Sequence, residues 1–321
     1  MTNEPQITKG NRNAFFIAFL VVVCLFVGYF LRNASSGSTS GTSSISLPKK
    51  FSQPRRSPGQ LRALALARTT ITVVTNRVSP FVSLLGPKAT DYMGSMASLR
   101  ELPAVLSSNQ VEILRVLVSI PHNPSGALSP LEFNGIKNVA ADILLQQPAF
   151  PAEFLADLVV QQADPAQDEV WRDYCLQMLT SGYLNLAGRV ESDPDAPAAR
   201  ELALVTLKGA SSAGGSTWPG TALLGLNTIL ASEPSAFARA ELDSRILSVL
   251  SDRSASEAAL ITASRLAGMS SLPSARPSLE ALAKDSVSEL VRTAAAKSIS
   301  DLSAVALAEE ERKPKVTAIS N

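Results

Sequence analysis

Apolar residues are distributed along this chain in two different ways. From Ala14 to Leu31 (AFFIAFLVVVCLFVGYFL) they form one unbroken run of 18 apolar or small residues, whereas beyond residue 90 they recur every three or four positions with polar residues between them. A helix needs about 17 to 25 apolar residues to cross roughly 30 Å of hydrocarbon, so the first pattern predicts one transmembrane helix over 13–32. A cleaved leader is the competing reading, with Lys9 and Arg12 as its basic start. Against it, the run exceeds the usual ~7 to 15 residues of a leader's apolar region, and cleavage after Ala34 would put the bulky Arg32 at minus three. No second run of this length follows.

The second pattern predicts helices. Ser129-Pro130-Leu131-Glu132 reads as a capping box with Pro at the first helical position, followed by Ile136, Val139, Ala140, Ile143 and Leu144 on one side. Ser254-Ala255-Ser256-Glu257 repeats the capping pattern ahead of Ala259, Ala263 and Leu266. Trp171, Tyr174, Cys175 and Met178 fall together in one helical stretch, and Val291, Ala294, Ala295, Ser298 and Ile299 in another. Loops rich in Pro, Gly and Ser divide these stretches into pairs: 108–119 with 130–147, 151–162 with 168–187, 197–209 with 218–232, 236–251 with 254–268, and 276–284 with 287–304. Upstream, Leu61, Leu64, Ile71, Val74, Val78, Phe81 and Leu85 have a helical period that Pro80 should kink or end, although the TTITVV piece among them also suits a strand.

The chain therefore divides into a short tail (1–12), the anchor (13–32), a tether rich in Ser, Thr and Gly with a basic end (33–57), a basic juxtamembrane helical segment (58–90), a helical-repeat domain (91–304) and a polar tail (305–321). Fifteen Ser/Thr/Gly-rich residues have a root-mean-square reach of roughly 20 Å.

Charge sharpens this division. The formal total is +1, but residues 33–90 carry eight basic residues and no acid, while residues 91–321 carry 18 basic and 27 acidic, a net of −9. A basic cluster close to anionic lipid is worth about 1 kcal/mol per Lys or Arg. Lys49, Lys50, Arg55, Arg56, Arg62 and Arg68 are accordingly the candidate contacts with lipid or a partner, a plain solvated face being the alternative. Arg62, Arg68 and Arg77 would equally decorate an interfacial amphipathic helix. Nucleic acid is disfavoured, because the basic collar lacks interleaved aromatics and the acidic body repels phosphate. Lys9 and Arg12 on one flank of the span nearly balance Arg32, Lys49 and Lys50 on the other. With the short basic tail kept inside, the expectation is a single-pass protein of the cell membrane whose body lies outside the cytoplasm.

The first members of the last four pairs begin 46, 39 and 40 residues apart, within or near the 40 to 47 of HEAT and armadillo arrays. Residues Asp285 to Arg292 (DSVSELVR), followed by Ala294, Ala295, Ala296 and Ile299, resemble the HEAT-like repeat pattern. Asp193, Arg200 and Leu207 echo it, as do Asp252, Ala259 and Leu266 and, one residue longer, Asp164, Arg172 and Leu179. The resemblance implies an all-α fold, an α-solenoid of HEAT-like helix pairs preceded by one transmembrane helix. It also implies that Asp285, Val291, Arg292, Asp252, Asp193 and Arg200 are structural, the Asp and Arg side chains fixing loops and neighbouring repeats. A non-repetitive helical bundle is the alternative.

Catalytic chemistry finds little to stand on. His122, the only histidine, lies in the loop Ile120 to Gly126 (IPHNPSG), where a solvent-exposed or capping role is more economical than catalysis. Cys175 reads as a buried structural thiol, and Trp171 and Trp218 as core. Asp164, Asp168, Glu169 and Asp173 are close enough in sequence to bind a cation but lack the ordered spacing of a calcium loop, and a solvated helix start favoured by the dipole explains Asp168 and Glu169. There is no phosphate-binding lysine loop, dinucleotide fingerprint or paired cysteine motif. The expectation is a membrane-anchored scaffold that binds other proteins, without a catalytic residue, cofactor or metal. A tethered enzyme with an unrecognised site, as some HEAT-like lyases acting on cofactor attachment would imply, and a structural spacer are the alternatives.

Overall fold

The computed structural model describes residues 91–122, 126–212 and 214–312, with side chains as far as Ala304. The predicted span at 13–32, the tether and the basic segment 58–90 lie outside the described residues. Among those described, no helix is long and apolar enough to cross a membrane.

Eleven α-helices and no strand occur among the described residues: α1 (Tyr92–Arg100), α2 (Ser108–Ser119), α3 (Pro130–Leu145), α4 (Glu153–Ala163), α5 (Glu169–Ala187), α6 (Ala196–Ala210), α7 (Trp218–Ser232), α8 (Arg239–Ser251), α9 (Glu257–Met269), α10 (Arg276–Asp285) and α11 (Glu289–Arg312). A 3₁₀ turn, Pro273–Ala275, leads into α10. The expected all-α class and the five pairs are therefore present, from α2 with α3 to α10 with α11. The first helices begin at Ser108, Glu153, Ala196, Arg239 and Arg276, intervals of 45, 43, 43 and 37 residues.

Side-chain caps explain where several helices start. Ser129 Oγ accepts from Glu132 N while Glu132 Oε2 accepts from Ser129 N, the reciprocal box read from the sequence. Ser107 and Gln110 form a second box at α2. At α9 the expected Ser254–Glu257 box is replaced by a simpler cap. Ser254 is already held by Asp252 Oδ1, which accepts from its N–H at 2.8 Å and its hydroxyl at 2.7 Å. Ser256 accepts from Ala259 N instead, and Glu257 is the first helical residue. At the other end of the chain α11 continues from 305 to Arg312, inside what reads from sequence as a polar tail. The stretch VALAEEER is built from good helix formers, and the first breaker is Pro314.

The pairs form two layers. Each second helix packs on the first helix before it. The second helices also pack in series, α1 on α3, α3 on α5, α5 on α7, α7 on α9 and α9 on α11. In the other layer α2 meets α4, α4 meets α6, and α8 meets α10. Contacts between near neighbours in the chain, repeated along it, are compatible with a helical repeat. Between α6 and α8 the join is polar: Lys208 Nζ reaches Glu241 Oε2 at 2.8 Å, and Arg245 donates to Lys208 O and to Ser211 Oγ.

Candidate functional site

The most unusual chemistry in the described residues is a lysine in the core. On α3 the buried positions Phe133, Lys137, Ala140, Ala141 and Leu144 share one face, so Lys137 occupies a place that the helical period reserves for an apolar residue. It is 1% exposed. Its ammonium is accommodated by partners from three segments. Nζ donates to Ile120 O, just past the end of α2, at 3.1 Å, and to Gln167 Oε1, in the turn before α5, at 2.7 Å. It also lies 4.2 Å from the centre of the Trp171 ring and 5.8 Å from that of Phe133.

A second tier holds these partners in place. Gln167 Nε2 donates to Ser119 O at 2.9 Å, which ties the same turn to the end of α2. Asn134 Nδ2 donates to Asp168 Oδ1 at 2.6 Å, and that oxygen caps α5 by accepting from Val170 N and Trp171 N. Asp168 thus has the helix-start role read from sequence. His122 Nε2 donates to Leu128 O at 2.9 Å, and its ring lies tilted against Phe133 with centroids 6.0 Å apart. The histidine therefore ties the chain after α2 to Leu128 and sets its ring against the aromatic wall of the lysine site.

Burial pushes the Lys137 ammonium down to about 7, with Cys175, Asp168 and Asp164 opposing the shift. The Cys175 thiol, completely buried, is pushed up to about 12 by the loss of solvent. A thiol of that pKa is neutral where Lys137 titrates, so the carboxylates of Asp168 and Asp164 are the charges that stabilise the ammonium there. An amine near neutrality is capable of proton transfer or nucleophilic attack when a substrate reaches it. This one is enclosed, with two donors spent on protein oxygens and its charge on two rings. Its evident work is to bind the end of α2 and the α4–α5 turn to the middle of α3. Sequence reading missed it, and the signal was the spacing of four between Phe133, Lys137 and Ala141.

Other cations are placed in the same manner. Arg172 donates to Gln162 O at 2.7 Å and lies 4.2 Å from the centre of the half-buried Trp218 ring. Arg189 lies over Phe150, donates to its carbonyl at 2.8 Å and pairs with Asp193 at 2.6 Å. Arg200 lies over Tyr183 and pairs with Glu233. Arg292 donates to Ser286 O and Val287 O, folding back onto the turn after α10. Val291 is buried, Asp252 binds the Ser254 backbone and hydroxyl, and Asp285 ends α10 in an exposed position. The structure does not bring these repeat-signature residues to one place; they are distributed along the stack, in α6 and α11 as well as at turns. Lys49, Lys50, Arg55, Arg56, Arg62 and Arg68 lie outside the described residues.

No group of three or more His, Cys, Asp or Glu side chains is arranged to hold a metal ion among the described residues. The acids Asp164, Asp168 and Asp173 are engaged separately. Asp164 closes its own turn onto Ala166 N, and Asp173 accepts from Thr217 and Thr221 across to α7. Burial raises the Asp173 carboxyl above the ordinary range, opposed by those hydroxyls. Compared with known proteins, the chain matches no family model, and no curated protein or solved structure is significantly similar to it.

Proposed function

We propose that this chain is a single-pass protein of the cell membrane whose helical body, an α-solenoid of HEAT-like pairs, binds other proteins outside the cytoplasm. The observation that supports the reading is the ladder of contacts, in which every helix pair rests on the pair beside it. The apolar run at 14–31 and the tether behind it support the membrane attachment. The acidic body favours partners that present basic patches. At the tether's end, Lys49, Lys50, Arg55 and Arg56 suit anionic lipid headgroups.

A tethered enzyme is the second reading, and the near-neutral amine of Lys137 is the observation that would favour it. Its enclosure argues the other way. Crosslinking in intact membranes, with a control chain lacking residues 91–321, tests the platform directly. Stoichiometric protein partners lost in the control are the expected result. Capture of lipid alone, or of the same proteins by both chains, would remove the scaffold from consideration.

A further inference from the structure

The second layer has an outer side that carries almost no charge. Helices α3, α5, α7 and α9 lie side by side in that layer, and each rests on the first-layer helix of its pair. Contacts occupy three sides of α5. A Cβ on Gly182 would meet Leu145 of α3 and Leu155 of α4, and one on Gly225 of α7 would meet Thr180. The side left over carries residues 170, 174, 177 and 181, at the three-and-four spacing of one helix face. There Val170 is 49% exposed, and Tyr174 and Gln177 are half-buried. Helix α7 is held in the same way, with Gly225 toward α5 and Gly220 toward Ala259 of α9. Its free side carries Leu224, 40% exposed, and Thr228. The corresponding side of α3 carries Leu131 and Asp142, and that of α9 carries Arg265 and Met269, all four exposed.

The other charged side chains of these four helices lie elsewhere. Glu132, Glu169 and Glu257 stand in the first turns, and Lys137 is in the core. Arg172 turns to Gln162 O near the end of α4, and Asp173 accepts from Thr217 and Thr221 between α5 and α7. Helix α7 has no charged residue. The outer side therefore keeps Asp142 at one margin and Arg265 at the other. Asp142 accepts from Gln146 Nε2, and neither charge has an ion-pair partner among the described residues. The two stand level. As second members of successive pairs the four helices run in one direction, with 145 beside 182, 180 beside 225 and 220 beside 259. Through these contacts 142 is level with 179 on α5, 224 on α7 and 263 on α9, which is about 3 Å along the axis from Arg265.

A face that is uncharged at its centre, with single opposite charges level at its two margins, is complementary to itself. We propose that two copies of this chain associate through the outer side of α3, α5, α7 and α9, about a twofold axis that runs along the helices between α5 and α7. That axis lays α3 of one copy over α9 of the other, so that Asp142 meets Arg265 twice and Leu224 meets the free side of α5. Over the rest of the body a second copy is repelled, because residues 91–321 carry a net of −9. The size is sufficient. Four helices of 13 to 19 residues, at about 1.5 Å per residue and about 9 Å apart, present roughly 850 Å², against the ~800 Å² that one partner gives to a standard interface. The association is independent of whether other proteins bind the body.

Sedimentation equilibrium of the full chain in a density-matched neutral detergent tests it. The unaltered chain is expected to be a dimer, and Leu224→Lys, which buries an unpaired charge at the centre of the face, to weaken it about 100-fold. Asp142→Arg and Arg265→Asp each set like charges against one another and should weaken the dimer about 10-fold. Mixed together, these two variants are expected to form a dimer as tight as that of the unaltered chain, since every marginal pair is again of opposite sign; that recovery also shows that both have folded. An unaltered chain that remains monomeric would leave the face to a different partner and overturn the proposal. A dimer indifferent to Leu224→Lys, or charge variants that fail to restore one another, would overturn it equally.

Discussion

The stack solves one packing problem in two ways. Between α3 and α5 the space is filled with large side chains, Phe133, Phe150, Phe154 and Trp171, and crossed by buried polar groups, Lys137, Asn134 and Gln167. Between α7 and α11 the side chains shrink and the backbones draw together. A Cβ on Gly220 would stand 3.2 Å from Ala259 Cα, and one on Gly268 would stand 3.1 Å from Ser298 Cα. Ala263, Ala267, Ala275 and Ala295 fill what remains. The first region gains stability from volume and depends on a set of specific partners. The second gains it from close approach and depends on the absence of side chains, so the two regions should fail under different substitutions.

Removing volume should hurt the first region most. Trp171→Ala deletes a fully buried ring and the face on which the Lys137 ammonium rests, and should cost about 3 to 5 kcal/mol in urea denaturation. Exchange protection should fall in α3 to α5 before it falls in α9 to α11. Uniform loss along the chain would mean that the two regions unfold as one unit and that the contrast has no energetic meaning.

Lys137 gives the same region a dependence on pH. Its pKa is lowered on folding, from 10.5 to about 7, so the unfolded chain binds more protons across that interval and stability rises as pH increases through it. At pH 9.5 the stability should exceed that at pH 6.5 by an amount on the order of 3 kcal/mol, and Lys137→Met should flatten the rise. Urea midpoints at half-unit intervals of pH measure it. A rise of equal size in the methionine variant would assign the effect to other groups.

For the second region the informative change is addition. Gly268→Val pushes a branched side chain against the Ser298 backbone and should cost about 1 to 3 kcal/mol. Gly209→Ala is its counterpart, because a Cβ at Gly209 meets nothing within 4 Å and the substitution should stabilise α6 by about 0.4 to 1 kcal/mol. Both are read from thermal or urea unfolding. If Gly268→Val were neutral, α9 and α11 would not be in the close contact on which the comparison rests.

What could be read from the sequence divides along the same line. Helix pairs were legible because each needs a periodic apolar face and a polar start, and Ser129 with Glu132 supplies both signals within a few residues. Cys175 and Trp171 were legible as core because they lie on that face. Ser254 was misread because the pattern Ser-x-x-Glu does not reveal that Asp252 claims the serine first. Lys137 was not legible, since its burial depends on oxygens 17 and 30 residues away, and a lysine in isolation reads as solvated. The approach of Gly268 to Ser298 is likewise a property of the stack and not of either segment.

One residue tests how closely α9 is registered on α11. Helix α9 ends with Ser271 N bonded to Gly268 O and Leu272 N to Ala267 O, the paired bonds of a Schellman turn, and the residue at the turn must adopt positive φ. That residue is Ser271, at φ 49, where glycine is usual because a Cβ is penalised there. Ser271→Gly relieves the penalty and adds some freedom to the unfolded chain, and the relief should win by about 0.5 to 1 kcal/mol. In a chain of this size that is a rise of roughly 1 to 4 °C in Tm. A fall in Tm would mean that the serine is not in the left-handed conformation, and that α9 leaves the stack at a different angle from the one that brings Gly268 onto Ser298.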